Sequence, residues 1–280
     1  MPDFDFEALI HEEKVHRSLY TDPEIFALEL TRIFGATWVY LAHESQIPNP
    51  FDFFQTKLGL RPIIVTRDGD NNIHALYNRC THRGATVCRQ AKGSTRSFRC
   101  PYHGWSYSIA GDLAGVPWRE GYARNHKEDN RFNLARIPRV DSYRGFIFGT
   151  LNLEAAPLVQ HLAGIRKPID DWLDRHPGGK IAVCEANRMK FKGNWKLAYD
   201  NSADGYHVIF SHRSLLMMEN RFSPDDEKGM SFYKQHPDDG PIRVHYYGNG
   251  HHFKDKRPTL ANHPGALWQI EGKHPGMEGY

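Results

Sequence analysis

Cys80-Thr81-His82-Arg83-Gly84 and Cys100-Pro101-Tyr102-His103-Gly104-Trp105 decide how this chain reads. Each segment carries one thiol and one imidazole, and seventeen residues, 83–99, separate His82 from Cys100. Alternating Cys-His, Cys-His suits two tight loops that close over a metal group from opposite sides, each bringing one sulfur and one nitrogen. Gly84 and Gly104, just beyond the histidines, allow the sharp turns such loops need, and Pro101 stiffens the second loop.

Two thiolates and two neutral imidazoles are the donor set of a Rieske [2Fe–2S] cluster. One iron takes both cysteines, Cys80 and Cys100, and the other takes both histidines, His82 and His103. Zinc accepts the same ligand types. Its usual order, however, is a Cys-Cys knuckle followed by a His-His pair, not Cys-His twice. Rieske electron carriers of respiratory complexes resemble one another in having an extra cysteine in each cluster loop, and a serine after the second His-Gly. Here Ala85, Tyr102 and Trp105 stand in those places. Fewer donors to the cluster sulfurs lower the potential, which suits a cluster feeding electrons to oxygen chemistry.

The chain has 280 residues with a formal net charge of +3, and its basic residues are dispersed. That excludes a nucleic-acid patch or a polybasic membrane segment. No stretch approaches the length of an apolar transmembrane helix, and Met1-Pro2-Asp3-Phe4-Asp5 lacks the regions of a signal peptide. A cytoplasmic protein is therefore expected. Of four cysteines, two belong to the motif, and Cys88 and Cys184 read as buried thiols in a reducing compartment.

Along the chain, residues 1–20 are charged and unpatterned. Asp22 is placed to cap a helix that starts at Pro23, with Phe26, Leu30 and Ile33 as its apolar face and Gly35 as its end. Short β-like runs follow. Pro62–Thr66, a turn at Asp68-Gly69-Asp70-Asn71, and Ile73–Tyr77 read as a hairpin leading into the first cluster loop. Ser97–Arg99 enters the second loop, Trp105–Ile109 leaves it towards a turn at Ala110-Gly111-Asp112, and Gly145–Gly149 is a further strand. Leu158, Leu162, Ile165, Ile169 and Trp172 recur with helical spacing before Pro177-Gly178-Gly179. Ile181, Val183, Glu185, Asn187, Met189 and Phe191 alternate as a strand, and a helix begins near Asn194. The last forty residues, rich in His, Gly, Pro and charge, read as loop-like.

Three segments are expected: 1–36, helical; 37–153, an antiparallel β domain carrying the [2Fe–2S] cluster; and 154–280, part of an α+β domain. The fold class is α+β, with the β domain inserted into a helix-plus-antiparallel-sheet domain that is incomplete.

A second constellation lies in that last segment. Asn194-Trp195-Lys196 precedes Asp200-Asn201, Asp204-Gly205-Tyr206-His207 and His212. On a continuous helix Asp200, Asp204 and His207 form one stripe. His207 and His212 are five apart, about 140° out of phase on a regular helix, and converge on one ion only if the helix loosens or ends between them. Two histidines satisfied by ordinary hydrogen bonds explain the same residues. Asn201, Ala203, Val208, Leu215, Leu216 and Met217 suit an apolar substrate pocket or simple core packing. Tyr107 reads either as a donor to a cluster sulfur or as a strand aromatic in the core. Arg83 suits a subunit boundary or a solvated loop, and His245, His251 and His252 read as solvated side chains.

The two motifs in this order resemble the α (large, oxygenase) subunit of Rieske non-haem iron aromatic-ring-hydroxylating dioxygenases, across essentially the whole chain. The resemblance implies that His207 and His212 are two ligands of a mononuclear Fe(II) in a 2-His-1-carboxylate triad. It implies that Asp204 hydrogen-bonds a ligand histidine and carries electrons from the Rieske histidine of a neighbouring subunit, in a homotrimer or an α3β3 ring with a small β subunit. Asp200 stands where the family often has Glu. The implied reaction is cis-dihydroxylation of a small benzoate-like or salicylate-like aromatic with O2, with electrons from NAD(P)H through a reductase, a ferredoxin, or both.

The third iron ligand of the family is an Asp far downstream of the second histidine. Asp225, Asp226, Asp238, Asp239 and Asp255 stand in no matching context; Asp238–Pro241 reads as a turn and Asp255 as part of a charged loop. The expectation is a chain truncated at its C-terminus that loads its cluster and hydroxylates poorly. The rival readings are a Rieske electron carrier, which leaves 194–212 unexplained, and a zinc-binding structural module.

Overall fold

The run Pro62-Ile63-Ile64-Val65 has no polar alternation, and the structure shows why. Ile63, Ile64 and Val65 are all fully buried, on a strand whose two faces look into two different cores. Ile64 packs with Phe53, Leu76, Phe98, Trp105 and Tyr107. Ile63 and Val65 pack with Leu41, Ala75 and Ile147. A strand covered on both sides reads as a continuous apolar run, and each such side chain contributes roughly 1.5–3 kcal/mol by burial.

The computed structural model describes residues 4–122, 129–174, 178–184, 189–204, 207–212, 214 and 243–255. In chain order the helices are α1 (Ser18–Thr21), α2 (Pro23–Arg32), α3 (Leu158–Leu162), α4 (Arg166–Leu173), α5 (Trp195–Ala203) and α6 (Val208–Ser211). The strands are β1 (Val39–His43), β2 (Asp52–Leu58), β3 (Arg61–Arg67), β4 (Ile73–Tyr77), β5 (Lys92–Ser94), β6 (Ser97–Arg99), β7 (Ser106–Ser108), β8 (Leu113–Gly115), β9 (Arg139–Tyr143), β10 (Phe146–Thr150), β11 (Arg243–Gly248) and β12 (His251–Asp255). The chain is α+β, with every strand pair antiparallel, as expected. It divides into two compact units. The first comprises Met1–Ala8, Asp22–His161 and Ile181–Asn187; the second comprises Leu9–Thr21, Leu162–Lys180 and Arg188–Tyr280.

The first unit holds three sheets, ordered β1-β10-β9, β4-β3-β2-β5 and β6-β7-β8. The expected hairpin is β3–β4, with Ile63 opposite Tyr77 and Arg67 opposite Ile73. Its turn is built on Asp68, whose Oδ1 accepts from the amides of Asp70 (2.9 Å) and Asn72 (2.8 Å) while Oδ2 takes His74 Nε2 at 2.8 Å. Asn71 supplies the left-handed residue, φ 68. Asp22 caps α2, its Oδ1 accepting from Glu24 N at 2.8 Å, with Pro23 next.

The buried face of α2 is not the expected one. Ile25, Leu28 and Glu29 are buried, whereas Ile33 is 39% exposed. The helix has two apolar stripes, and tertiary packing chose between them.

Four further expectations are corrected. Leu158–Trp172 is not one helix, because Ala163 adopts φ 47 within the 3-10 turn Ala163–Ile165 between α3 and α4. The break shifts the phase, so Leu173 is buried and Trp172 is half exposed. Among the described residues 181–184 and 189–192 there is no strand. Ile181 and Val183 do face inward, but Val183 N donates to Ser45 Oγ at 2.8 Å, a side chain satisfying what a ladder would have. Cys184 falls on the outward side of that alternation and is exposed, not buried. Glu185 and Asn187 lie outside the described residues.

The second unit contains the fourth correction. Residues 243–255 form a hairpin, β11–β12, turning through Gly248, Asn249 and Gly250 at φ 79, 52 and 79. Gly-Asn-Gly after an alternating Val244, Tyr246 run was the sequence signal for it. Asp255 ends β12 and is buried, rather than sitting in a loop. Gly164 lies so close to Tyr247 that a Cβ there would meet the ring at 2.5 Å. Among the described residues no helix is long and apolar enough to cross a membrane.

Candidate metal centres

The two motif loops leave β4 and β6 and are closed by the same backbone bonds, despite the different Cys–His spacing. Cys80 N donates to Ala85 O (2.8 Å) and Gly84 N to Cys80 O (2.8 Å); Cys100 N donates to Trp105 O (2.7 Å) and Gly104 N to Cys100 O (3.0 Å). In each loop the glycine four residues after the cysteine takes a left-handed turn, φ 75 at Gly84 and 71 at Gly104. An L side chain there would be strained.

These loops bring the four expected ligands together. Cys80 and Cys100 are buried, and the His82 and His103 rings meet edge to face with centroids 4.6 Å apart. Trp105 stacks flat on His82, 4.9 Å away and 4° from parallel, and Tyr102 lies 3.8 Å from His103. Tyr107 is fully buried and its hydroxyl lies 3.1 Å from Cys80 Sγ, so it is both core aromatic and sulfur neighbour. Burial pushes the Cys80 thiol up, against hydrogen bonds from Tyr107 and the His82 amide, and the neighbouring Cys100 thiol adds to the rise. Burial, with His103 and Arg83 beside it, lowers His82 and keeps its ring neutral.

A buried thiol that resists ionisation, beside a buried His82 Nδ1 that has no hydrogen-bond partner, is a set of donors arranged for cations. Among the described residues no three His, Cys, Asp or Glu side chains are grouped to hold a single ion. A two-iron cluster asks the protein for only two ligands at each iron, and the residues present fit it.

Asn78 escaped the sequence reading. It is buried, its Oδ1 accepts from the amides of Val87 (3.0 Å) and Cys88 (2.8 Å), and its Nδ2 donates to Cys88 O at 2.7 Å. Gln55 Nε2 adds a bond to the same Cys88 carbonyl at 2.9 Å. These side chains hold the segment that follows the first loop. The only hint in the sequence was a polar residue directly after an apolar strand.

In the second unit α5 starts as expected, with Asn194 Oδ1 accepting from Lys196 N at 3.0 Å. Asp200, Asp204 and His207 do not form a continuous helical stripe. The helix stops at Ala203, Asp204 is extended at ψ 126, and α6 begins after His207. The Asp200 carboxylate instead accepts from Tyr20 Oη at 2.7 Å. The break lets Asp204 Oδ2 turn to His207, 2.9 Å from its Nδ1 and 3.3 Å from its amide. His212 follows the end of α6, and its ring centroid lies 5.4 Å from that of His207. The chain thus ends a helix just before His212, which is one way the two rings approach. The hairpin steadies α5: Lys254 Nζ donates to Ala203 O at 3.2 Å, and Tyr199 Oη pairs with His252 Nδ1 at 2.6 Å. His252 is therefore bonded, not simply solvated. Among the described residues no carboxylate completes His207 and His212 as a group of three ligands. Asp255 faces His245 at 4.0 Å, and Asp225, Asp226, Asp238, Asp239, Leu215, Leu216 and Met217 lie outside the described residues.

Residues 37–134 match the Rieske [2Fe-2S] domain family, and residues 179–274 match the family described as ring hydroxylating alpha subunit (catalytic domain). The chain carries a Rieske domain followed by part of the catalytic domain of the ring-hydroxylating α-subunit family. That family joins a Rieske [2Fe–2S] domain to a catalytic domain that uses mononuclear iron, and it is a family of oxidoreductases. Toluate 1,2-dioxygenase subunit alpha of Pseudomonas putida is 38% identical over 241 residues, covering 84% of this chain and 53% of that protein. The 2-halobenzoate 1,2-dioxygenase large subunit of Burkholderia cepacia is 39% identical over 203 residues, covering 71% and 43%. Among solved structures, naphthalene 1,2-dioxygenase from Rhodococcus sp. bound to indole superposes with a TM-score of 0.70 at 38% identity, covering 76% of this chain and 49% of that one. The chain spans about half the length of the curated relatives it matches.

Proposed function

We propose that this chain acts as the oxygenase component of an aromatic-ring-hydroxylating dioxygenase. Cys80, His82, Cys100 and His103 would hold the [2Fe–2S] cluster, and His207 and His212 would hold Fe(II). The observation that carries the reading is the Asp204–His207 bond at 2.9 Å, in the same chain as a site of two buried cysteines and two half-buried histidines. When bound, the cluster supplies single electrons and the mononuclear iron supplies the open positions where O2 reacts beside the substrate.

What the chain's own residues do follows from their placement. The Asp204 carboxylate accepts from His207 Nδ1, which fixes the ring and leaves its Nε2 for the metal. The Asp204 side chain is 47% exposed, so a second copy of the chain can reach this carboxylate. Burial of Cys80, Cys100, Trp105 and Tyr107 keeps water from the cysteine side of the cluster site. The domain boundaries proposed are 1–36, 37–153 and 154–280. Proposed partners are a reductase, a ferredoxin, or both, drawing on NAD(P)H, and further copies of the chain in a ring, with or without a small β subunit. A cytoplasmic location suits the exposed Cys184 thiol and the absence of spanning helices among the described residues. An aromatic carboxylate is the proposed substrate class, since the relatives at 38–39% identity carry the names toluate, 2-halobenzoate and anthranilate dioxygenase.

The test is His207→Ala in the complete system with reductase, NADH and benzoate. Diol formation is expected to vanish and iron content to fall to what the cluster alone accounts for, while the electron paramagnetic resonance of the reduced cluster persists. Unchanged diol formation would overturn the assignment of His207, and absence of the cluster signal from the unsubstituted protein would overturn that of the four loop ligands.

A further inference from the structure

Each cluster-loop cysteine is directly preceded by an arginine, Arg79 before Cys80 and Arg99 before Cys100. Their side chains fold back on the loops they introduce. A Cβ built on Gly84 would meet Arg79 Nε at 2.9 Å, and one built on Gly104 would come within 3.4 Å of a terminal guanidinium nitrogen of Arg99. Gly84 and Gly104 are the residues that turn each loop, so the glycines serve twice. They permit the left-handed backbone, and they leave room for a guanidinium against the loop. Arg67, Arg131 and Arg136 each have a carboxylate partner. Among the described residues Arg79 and Arg99 have none, so each cluster loop carries an uncompensated positive charge against its glycine, in addition to that of Arg83 beside His82.

The charge of the group those loops fit makes this placement consequential. Two ferric ions, two sulfides and two thiolates sum to zero, and one added electron leaves a single negative charge. A fixed cation nearby stabilises the reduced form more than the oxidised form. We propose that Arg79 and Arg99 are redox-tuning residues that raise the reduction potential of the cluster. This rests on the reading that Cys80, His82, Cys100 and His103 hold it. The step they favour takes one electron from a one-electron carrier protein onto the iron pair, with no bond made or broken and no proton moved. They act through space where Trp105 leaves the second loop without a hydroxyl donor. Both arginines are exposed, so the effect is partly screened and depends on salt.

The experiment is redox potentiometry of the full chain with its cluster, followed by electron paramagnetic resonance. The proteins are wild type, Arg79→Gln, Arg99→Gln, the double variant, and Arg96→Gln as control, since the Arg96 guanidinium lies over the Phe51 ring at 4.1 Å. Each single variant is expected to be about threefold harder to reduce, roughly 30 mV, and the double variant about tenfold, roughly 60 mV. The differences should shrink in molar salt, Arg→Lys at either position should restore the potential, and Arg96→Gln should leave it unchanged. A double variant with an intact cluster and the wild-type potential overturns the inference, as does an equal drop in Arg96→Gln. If a Gln variant fails to hold a cluster, the wild type decides, because its potential must fall as salt rises. A wild type that never shows the cluster signal overturns the underlying ligand assignment instead.

Discussion

Tyr107 has one proton and two acceptors within reach. Its hydroxyl lies 3.1 Å from Cys80 Sγ and 3.0 Å from Thr81 Oγ1, while it also accepts from Thr81 N at 3.3 Å. Thr81 Oγ1 donates its own proton to Phe132 O at 2.7 Å. Burial and the neighbouring Cys80 hold the phenol well above its usual range, so it stays a donor. Once Cys80 is a metal-bound thiolate, the charged sulfur is the stronger acceptor. A hydrogen bond of about 1 kcal/mol corresponds to roughly 40 mV for one electron. Tyr107→Phe is therefore expected to lower the cluster potential by tens of millivolts, read by redox potentiometry. An unchanged potential would mean that Tyr107 serves packing alone. Asn78 sits in the same core and answers three backbone groups with one side chain. Asn78→Ala leaves buried amides unsatisfied. It is expected to cost about 3 kcal/mol and to speed loss of visible absorption from the loaded protein, followed by urea titration and by bleaching rate.

The β3–β4 hairpin stands or falls with Asp68. Despite the opposing effect of burial, hydrogen bonds from His74, Asn72 and Asp70 hold its carboxyl down at about 2. A folded pKa below the unfolded value of about 3.9 stabilises the fold above pH 4, and that contribution is lost as pH falls from about 4 through about 2. With the side chain only 15% exposed, the linkage amounts to about 2 kcal/mol. Asp68→Asn is expected to lose stability at pH 7 and to flatten the fall in stability between pH 4 and 2, measured by urea unfolding of both proteins across that range. An acid limb equally steep in both would place the lost protonation elsewhere. This hairpin was legible because its chemistry is local: an Asp-Gly-Asp-Asn turn between two apolar runs. The buried face of α2 was not legible. Ile25, Leu28 and Phe26, Leu30 are both apolar, and nothing within the helix says which pair will be buried deeper. The β11–β12 hairpin was missed because a His- and Gly-rich composition was weighed above the Gly-Asn-Gly turn it contains.

Across the whole molecule the two proposed metal sites differ in exposure, and that difference is testable. Cys80 and Cys100 are 3% and 2% exposed, whereas the side chains of His207 and Asp204 are 21% and 47% exposed. A chelator of Fe(II) is therefore expected to strip the mononuclear iron from the loaded protein while the visible absorption of the cluster survives, with iron and sulfide assays as the measure. Parallel loss of both would contradict the assignment of one buried and one open site. The proposed cluster ligands Cys80, His82, Cys100 and His103 were legible in the sequence because metal chemistry restricts residue types and loop closure restricts spacing, whereas His207 and His212, five apart, pointed to a metal only through the family resemblance. Glycine four residues after each cysteine was also in the sequence, and it explains why unequal Cys–His spacings still make equal loops. Only the tertiary structure decided that α5 ends at Ala203, sending the Asp200 carboxylate to Tyr20 and Asp204 to His207. It alone placed the Arg79 and Arg99 side chains against the loop glycines. Helical periodicity predicts a stripe whenever a helix continues. Where a helix stops is set by partners far along the chain, here Lys254 on the last carbonyl of α5, and no local pattern records them.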